Sequence, residues 1–417
     1  MGRLTRAVQV AVLTALLGGL VAAPAWSQPS VVPGARPQVL TTLAPGERVA
    51  PGVTHRTFST TVATGRLTGD VVEVDLAAAG VRTGLLTPGA VAARSTVTRM
   101  VRDGGAVAGI NGDFFDIGRT SAPAGPEVAD GVALKAAVPQ GRRAAPAVPG
   151  AEMSYVFRVG ADRRAAIDRL TLDAKATSKH GTVQVVALNQ YAIPVNGVGL
   201  FTSAWGAASR AGSVCGSDTD AKAGCAPDVT EVTVRNGVVT AVSHHAGAGQ
   251  LGVGEVVLLG RDLGSTALRS LQVGDAVQVT DRLVAQSGVA PQFAVGGSPI
   301  LRDGAPTERL DDHNRAARSG AAVSADGRWM YLVTVGARPS ALGGVTQAAN
   351  STETKGATLA EFSAVLHELG GDDGVNLDGG GSSTLVYDNA LHKQVTVVSN
   401  PSASARMVPN GIGVFTG

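Results

Sequence analysis

Aromatic residues are few: Phe, Tyr and Trp together make up 4% of the 417 residues. A binding face built on extensive sugar stacking is therefore excluded, since each stacked ring needs an aromatic platform. Charge is also thin, at 16% against a typical 25% or so, and it nearly cancels, with 35 Lys and Arg facing 33 Asp and Glu. Nucleic-acid binding needs clustered cations to displace counterions, so no nucleic acid is expected as a partner. Beyond the first residues, no apolar run approaches the roughly 18 residues that span a bilayer. Cysteine is reduced to two residues. What is abundant is glycine: 55 residues, nearly twice the average share of roughly 7%. No G-X-Y period accompanies it, which excludes a collagen-like chain. A hydrophobic content of 44% is enough for a sizeable core.

The N-terminus has the form of an export signal. Arg3 and Arg6 precede an apolar run from Ala7 to Ala23, followed by the small-residue steps Ala23-Pro24-Ala25 and Ala25-Trp26-Ser27. This order reads as a secretory signal peptide over residues 1–27, cleaved after Ala25 or Ser27. Gln9, Gly18, Gly19 and Pro24 interrupt the run and weigh against a retained anchor. Without Arg3 and Arg6 the chain carries 33 residues of each sign. The expectation is a secreted, extracellular protein with no membrane span after cleavage. Outside the cytosol, Cys215 and Cys225, which flank a polar Gly/Asp loop, are expected to pair as a structural disulfide. A metal or redox site would call for C-x-x-C spacing or a nearby His, and neither is there.

Residues 28–57, punctuated by Pro and Gly, read as an N-terminal extension, and residues 58–417 as one large domain. Gly69–Leu76 alternates apolar and polar residues as a strand does, and a helix is expected over Thr96–Arg102. A small-residue strand, 104–110, follows, then a Gly-, Pro- and Ala-rich surface loop around a short strand over 118–150. Short β runs come next at Val183–Leu188, Thr230–Val234, Val238–Val242, Glu255–Leu259 and Ala276–Thr280. One strong helix signal comes late: Thr358-Leu359-Ala360-Glu361 is a capping box, with apolar residues at helical spacing to Leu369 and a Gly370-Gly371 stop. Many strands with few helices give an α+β fold of mixed, strand-rich sheets.

The densest motif is Asn376-Leu377-Asp378-Gly379-Gly380-Gly381-Ser382-Ser383. Three successive glycines are expected to adopt φ > 0 and turn several N–H groups into one anion-binding concavity beside the Asp378 carboxylate. A plain hairpin needs only one or two glycines. Asn111-Gly112-Asp113-Phe114-Phe115 has the same design, polar groups delivered by a small-residue strand, though Asn-Gly also marks an ordinary turn. Gly296-Gly297-Ser298 precedes a further strand, and Arg315 and Arg318 sit before the strand 321–323, where an Arg fork would suit a phosphate oxyanion. Other matches fail on context. Gly247–Gly252 fits G-x-G-x-x-G but leads into a strand, and His367-Glu368 lacks the second His of a zincin. No cofactor is required by these motifs. A divalent cation could bind at Asp372-Asp373-Gly374, which reads first as a turn.

Taken in order, these blocks resemble the phosphodiester glycosidase domain family. The matching pieces are Ile110–Phe115, Gly296–Leu301, Arg318 through Arg328, Gly356–Glu361, Asn376–Ser383, and a final block from Asn400 through Arg406 to Val414. The resemblance covers about residues 60–417. This chain departs at Gly336-Ala337-Arg338, where the family often has Asp-Gly-Arg, and carries an insertion from Val345 to Lys355. The resemblance implies an enzyme, a glycosidase that cleaves a sugar-1-phosphodiester, or phosphorylated glycan, and leaves a phosphomonoester. An oxocarbenium-like transition state needs a nearby carboxylate, so Asp378 and then Asp113 are the candidate catalytic residues. Arg318 with the N–H groups of Gly379, Gly380, Gly381 and Ser382 would hold the phosphate, and Asn111, Asn376 and Ser383 would orient sugar hydroxyls, with Gly297 lining the site. The alternatives are a non-catalytic envelope module that binds an anionic glycan, and a glycosidase with no phosphate requirement.

Overall fold

The computed structural model describes residues 40–62, 65–142, 152–336, 356–389, 394–397 and 406–417. The expected signal peptide and the insertion Val345–Lys355 lie outside them. Strands dominate, with three α-helices among the described residues, Val97–Gly104, Leu263–Leu268 and Leu359–Glu368. Among the described residues, all strand pairings are antiparallel except that of Ala187–Leu188 with Val198–Phe201.

A nine-stranded sheet forms one layer. Its order is Leu40–Leu43, Val53–Val62, Gly65–Asp75, Trp329–Val335, Arg318–Val323, Asp373–Asn376, Ser298–Arg302 and Ala305–Pro306, with Glu47–Ala50 also paired to Val53–Val62. The sheet thus begins at Leu40, ahead of the expected domain boundary at residue 58. The central strand Gly65–Asp75 buries Val71, Val72 and Val74 completely, as a strand covered on both faces must. One face receives the helix Leu359–Glu368, whose Phe362, Val365 and Leu366 pack with Val71, Ile300 and Val333. Burying each such side chain contributes about 1.5–3 kcal/mol. The capping box is closed in both directions: Thr358 Oγ1 accepts from Glu361 N at 3.2 Å, and Glu361 Oε2 accepts from Thr358 N at 3.0 Å.

The other face packs on a five-stranded sheet ordered Gln394–Val397, Leu385–Asn389, Ala108–Asn111, Gly411–Phe415 and Arg82–Leu86. Val72, Leu332, Val375 and Leu377 meet Ile110, Leu385 and Ile412 there, joined by Phe157, Phe293 and Val295 of a seven-stranded sheet. The helix expected over Thr96–Arg102 runs Val97–Gly104 with Thr96 as its N-cap, and it covers the five-stranded sheet from outside. A second five-stranded sheet holds the short middle strands. The run 183–188 is split, as Gly181–Gln184 joins the seven-stranded sheet and Ala187–Leu188 the second five-stranded one. Cys215 and Cys225 form the expected disulfide. Within the described part of the segment read as a loop, residues 118–142, Glu127–Ala129 and Val132–Lys135 make a hairpin at the edge of the seven-stranded sheet.

Candidate active site

Two motifs 267 residues apart are stitched together at the sheet ends. Asn111, fully buried, donates from Nδ2 to the Asp378 carbonyl at 2.7 Å and to the Gly112 carbonyl at 3.5 Å. Its Oδ1 accepts from Ser319 Oγ at 2.7 Å and from Thr384 N at 3.0 Å. Asp378 N donates in turn to Gly112 O at 2.9 Å. The four hydrogen-bonding positions of the Asn111 amide are filled by the protein itself, so its work is to fix the Asp378 backbone.

The two candidate carboxylates converge as a result, and their environments differ. Asp378 is half-buried just beyond the strand Asp373–Asn376. Burial pushes its carboxyl up to about 6 and the Asp113 charge adds to the rise, while Ser382 and Gly379 hydrogen bonds and the Arg406 charge pull it down. Asp113 is only 4% exposed. Its Oδ1 accepts from Phe114 N at 2.8 Å and its Oδ2 from Gly125 N at 2.5 Å. The fit is close: a Cβ on Gly296 would lie 2.4 Å from Asp113 Oδ2, and one on Gly112 would lie 2.2 Å from Asn410 Oδ1.

The glycine triplet differs from the expected nest. Only Gly380 has a left-handed φ, +59°, and it opens a single 3-10 turn, Gly380–Ser382. Gly379 and Gly381 are glycines for space. A Cβ on the first would approach Ala317 O to 2.8 Å, and on the second the Arg406 guanidinium to 2.7 Å. The loop's N–H groups are turned inward: Gly380 N bonds Ala317 O at 2.7 Å, Ser382 N bonds Gly379 O at 3.1 Å, and Ser383 N bonds Gly380 O at 3.2 Å. Gly379 N serves the Asp378 carboxylate.

Arg318 is directed elsewhere, donating from Nε to Ala357 O at 3.0 Å and from Nη2 to Asn314 O at 2.8 Å. The cation at the loop is Arg406, exposed, which donates from Nη1 to Ser382 Oγ at 3.3 Å and faces Asp378. Asn376 and Ser383 are 3% and 0% exposed, yet Asn376 Oδ1 and Ser383 Oγ have no hydrogen-bond partner. Leaving such atoms unpaired costs about 1–3 kcal/mol each, which calls for a ligand or water as the missing partner. Gly297 serves packing, since a Cβ there would touch Val375 at 3.0 Å.

Four functional candidates escaped the sequence reading. Glu127 and Lys135 are 3% and 0% exposed, in the hairpin read as part of a surface loop. Asn410 and Arg406 sit in the final motif block, where their presence was the only signal. Asn410 bridges two acids, its Nδ2 donating to Glu127 Oε1 at 2.7 Å and its Oδ1 accepting from Asp113 N at 2.9 Å. Burial raises Glu127 to about 7 and lowers Lys135 to about 8. Away from this site, Asp303, Asp372 and Asp373 bring carboxylate oxygens within 4.8 Å of one another at the opposite end of the strand Asp373–Asn376. Exposed acids commonly cluster in turns, and the Asp373 carboxylate also accepts from Asp303 N at 3.0 Å.

Comparison with known proteins places these features. The phosphodiester glycosidase family model matches residues 228–415, the span that holds Gly297, Arg318, Asp378, Arg406 and Asn410. No curated protein sequence matches the chain. A solved structure of a hypothetical protein from Synechocystis is similar with a TM-score of 0.67 at 22% identity, over 88% of this chain and 62% of that one. The chain therefore spans less than two thirds of that protein's length. A protein from Burkholderia pseudomallei K96243, named for suspected export, gives 0.66 at 19% identity over 92% of this chain and 99% of its own. These two likenesses show the fold. The zebrafish N-acetylglucosamine-1-phosphodiester α-N-acetylglucosaminidase catalytic domain, auto-inhibited by its pro-peptide, lies farther off, with a TM-score of 0.40 at 14% identity over 92% of each chain. The later motif blocks, from Gly296 on, fall within the family match and Ile110–Phe115 lies outside it: over residues 228–415 this chain matches the phosphodiester glycosidase family.

Proposed function

We propose that the protein is a secreted glycosidase that cleaves the bond between a sugar and phosphate in a sugar-1-phosphodiester, releasing the sugar and leaving a phosphomonoester. The disulfide supports an oxidising compartment. The carrying observation is the pairing of a half-exposed carboxylate, Asp378, with a buried one, Asp113, beside the Arg406–Ser382 contact. In this reading the anomeric C–O bond breaks with its electron pair leaving on the phosphate oxygen, and water adds to C1 through its oxygen and gives up a proton to the departing phosphate or to solvent. Asp378 meets the positive charge that develops on the sugar. The leaving group needs little protonation, because its second pKa is near 6. Arg406 and Ser382 take the phosphate, a charge-assisted contact that strengthens as the leaving group becomes a dianion. Asn376 and Ser383 are buried behind the loop and would shape the site from beneath rather than meet the sugar.

The test is release of free sugar from UDP-linked and aryl-linked sugar-1-phosphates by the purified full chain. Wild type should turn over and Asp378→Asn should lose activity by about 10³-fold, within the range of a positioned acid–base group. Failure of the wild type to release sugar from any phosphodiester would overturn the reading, and saturable binding without turnover would favour the anionic-glycan module instead.

A further inference from the structure

A lysine with no exposed surface is unusual, because its ammonium must find partners inside the protein. Lys135 finds three, all backbone carbonyls: Ala124 O at 3.1 Å, Gly125 O at 3.0 Å and Ala136 O at 2.6 Å. Its three donors are therefore spent on the turn that precedes its own hairpin and on the next residue. The same turn supplies the Gly125 N–H that reaches Asp113 Oδ2 at 2.5 Å. A second tether reaches Asp113 from the other side. Glu127 holds Asn410 Nδ2, and Asn410 Oδ1 holds Asp113 N. The charges facing one another across this cluster are Lys135 toward Glu127 and Asp113, Asp113 toward Glu127 and Asp378, and Arg406 toward Asp378.

We propose that Lys135 is a positioning residue for Asp113: its buried charge and its grip on the Ala124–Gly125 carbonyls keep Asp113 ionised and aimed behind Asp378, so that a proton entering the carboxylate pair goes to Asp378. The inference rests on reading these two aspartates as the working pair. Two like charges held close cannot both ionise freely. Which one keeps the proton is decided by what else each touches. Asp113 has two N–H donors and a nearby buried cation, all favouring its charged form. Asp378 also has two donors, Gly379 N–H and the Ser382 hydroxyl, but it is partly exposed and its cation, Arg406, is solvated rather than buried.

The test follows carboxyl carbons by NMR through a pH titration of the full chain, with Asp378→Asn and Asp113→Asn used for assignment. In wild type, Asp378 should titrate above Asp113. Lys135→Gln keeps two of the three donors but removes the charge, and should raise the Asp113 midpoint by about one pH unit or more while lowering that of Asp378. Lys135→Arg should restore the wild-type order. Gly125→Ala, whose Cβ would crowd Asp113 Oδ2 at 2.9 Å and Gly296 Cα at 2.7 Å, should raise the Asp113 midpoint with the lysine intact, and it serves as the test if Lys135→Gln does not fold. Unmoved aspartate midpoints in folded Lys135→Gln, or in Gly125→Ala where that variant stands in, would overturn the proposal. The titration reads no turnover, so a failed glycosidase assay and a failed positioning role are told apart.

Discussion

The loop Asp378–Ser383 and the hairpin Glu127–Lys135 reach the same buried carboxylate, Asp113, by opposite means. The loop is partly open, almost without large side chains, and presents Asp378 beside an exposed arginine. The hairpin side is closed and carries a glutamate and a lysine with little or no access to water. In the proposed reading, one region meets the ligand. The other fixes what the ligand will meet. The contrast teaches that a group can be poised for chemistry by charges that never touch substrate.

The largest effect expected from breaking this arrangement is on turnover. Asp378→Asn should cost about 10³-fold in kcat, while Glu127→Gln, which keeps the acceptor for Asn410, should cost much less. Parallel kinetics on both variants check the division of labour. Next comes the anion side. Arg406→Ala should lower kcat/KM for a phosphodiester by about 10–100-fold, equivalent to losing a charged hydrogen bond of about 1.5–3 kcal/mol, and should leave a neutral aryl glycoside nearly untouched. Arg318→Ala, which frees carbonyls at Ala357 and Asn314, should instead lower stability, so equal losses on both substrates for Arg406→Ala would erase the distinction drawn here.

A third effect is on stability against pH. Glu127 has its folded pKa raised above the usual glutamate range to about 7. The folded state therefore holds its proton more tightly than the unfolded chain does. Its contribution is fully present below about pH 4.5 and is lost as pH rises toward 7. Urea unfolding across that window should show a declining free energy in wild type and a flatter profile in Glu127→Gln. Smallest, and confined to the scaffold, is Thr358→Ala. Loss of the cap should cost about 1 kcal/mol with kcat unchanged, measured by thermal unfolding and the sugar-release assay.

The sequence shows much of the fold because alternation and capping are local. Gly69–Leu76, Glu255–Leu259 and the box at Thr358 and Glu361 each declare themselves within a few residues. It also shows Asp378 and Asp113, each embedded in a compact motif. Glu127 and Lys135 were hidden for a physical reason. Charged residues among Gly, Pro and Ala read as solvated, and the carbonyls that hold the Lys135 ammonium belong to backbone, which leaves no side-chain signature. The triplet 379–381 misled for another reason. A glycine chosen for positive φ and one chosen for lack of a Cβ look the same in a sequence, and here Gly380 is the first kind and Gly379 and Gly381 the second.

The strand Gly411–Phe415 lies between Arg82–Leu86 and Ala108–Asn111, and Asn410 just before it reaches Asp113 across 297 residues. A polypeptide leaving the ribosome thus carries Asp113 and its early partners, Gly125 and Lys135, long before the Asn410 tether is made. Pairings of such long range are slow to form. Any fragment that stops short of Asn410 would hold the motif Asn111–Phe115 without that tether, and the proposed site would be completed only when a strand made late slides between two made early.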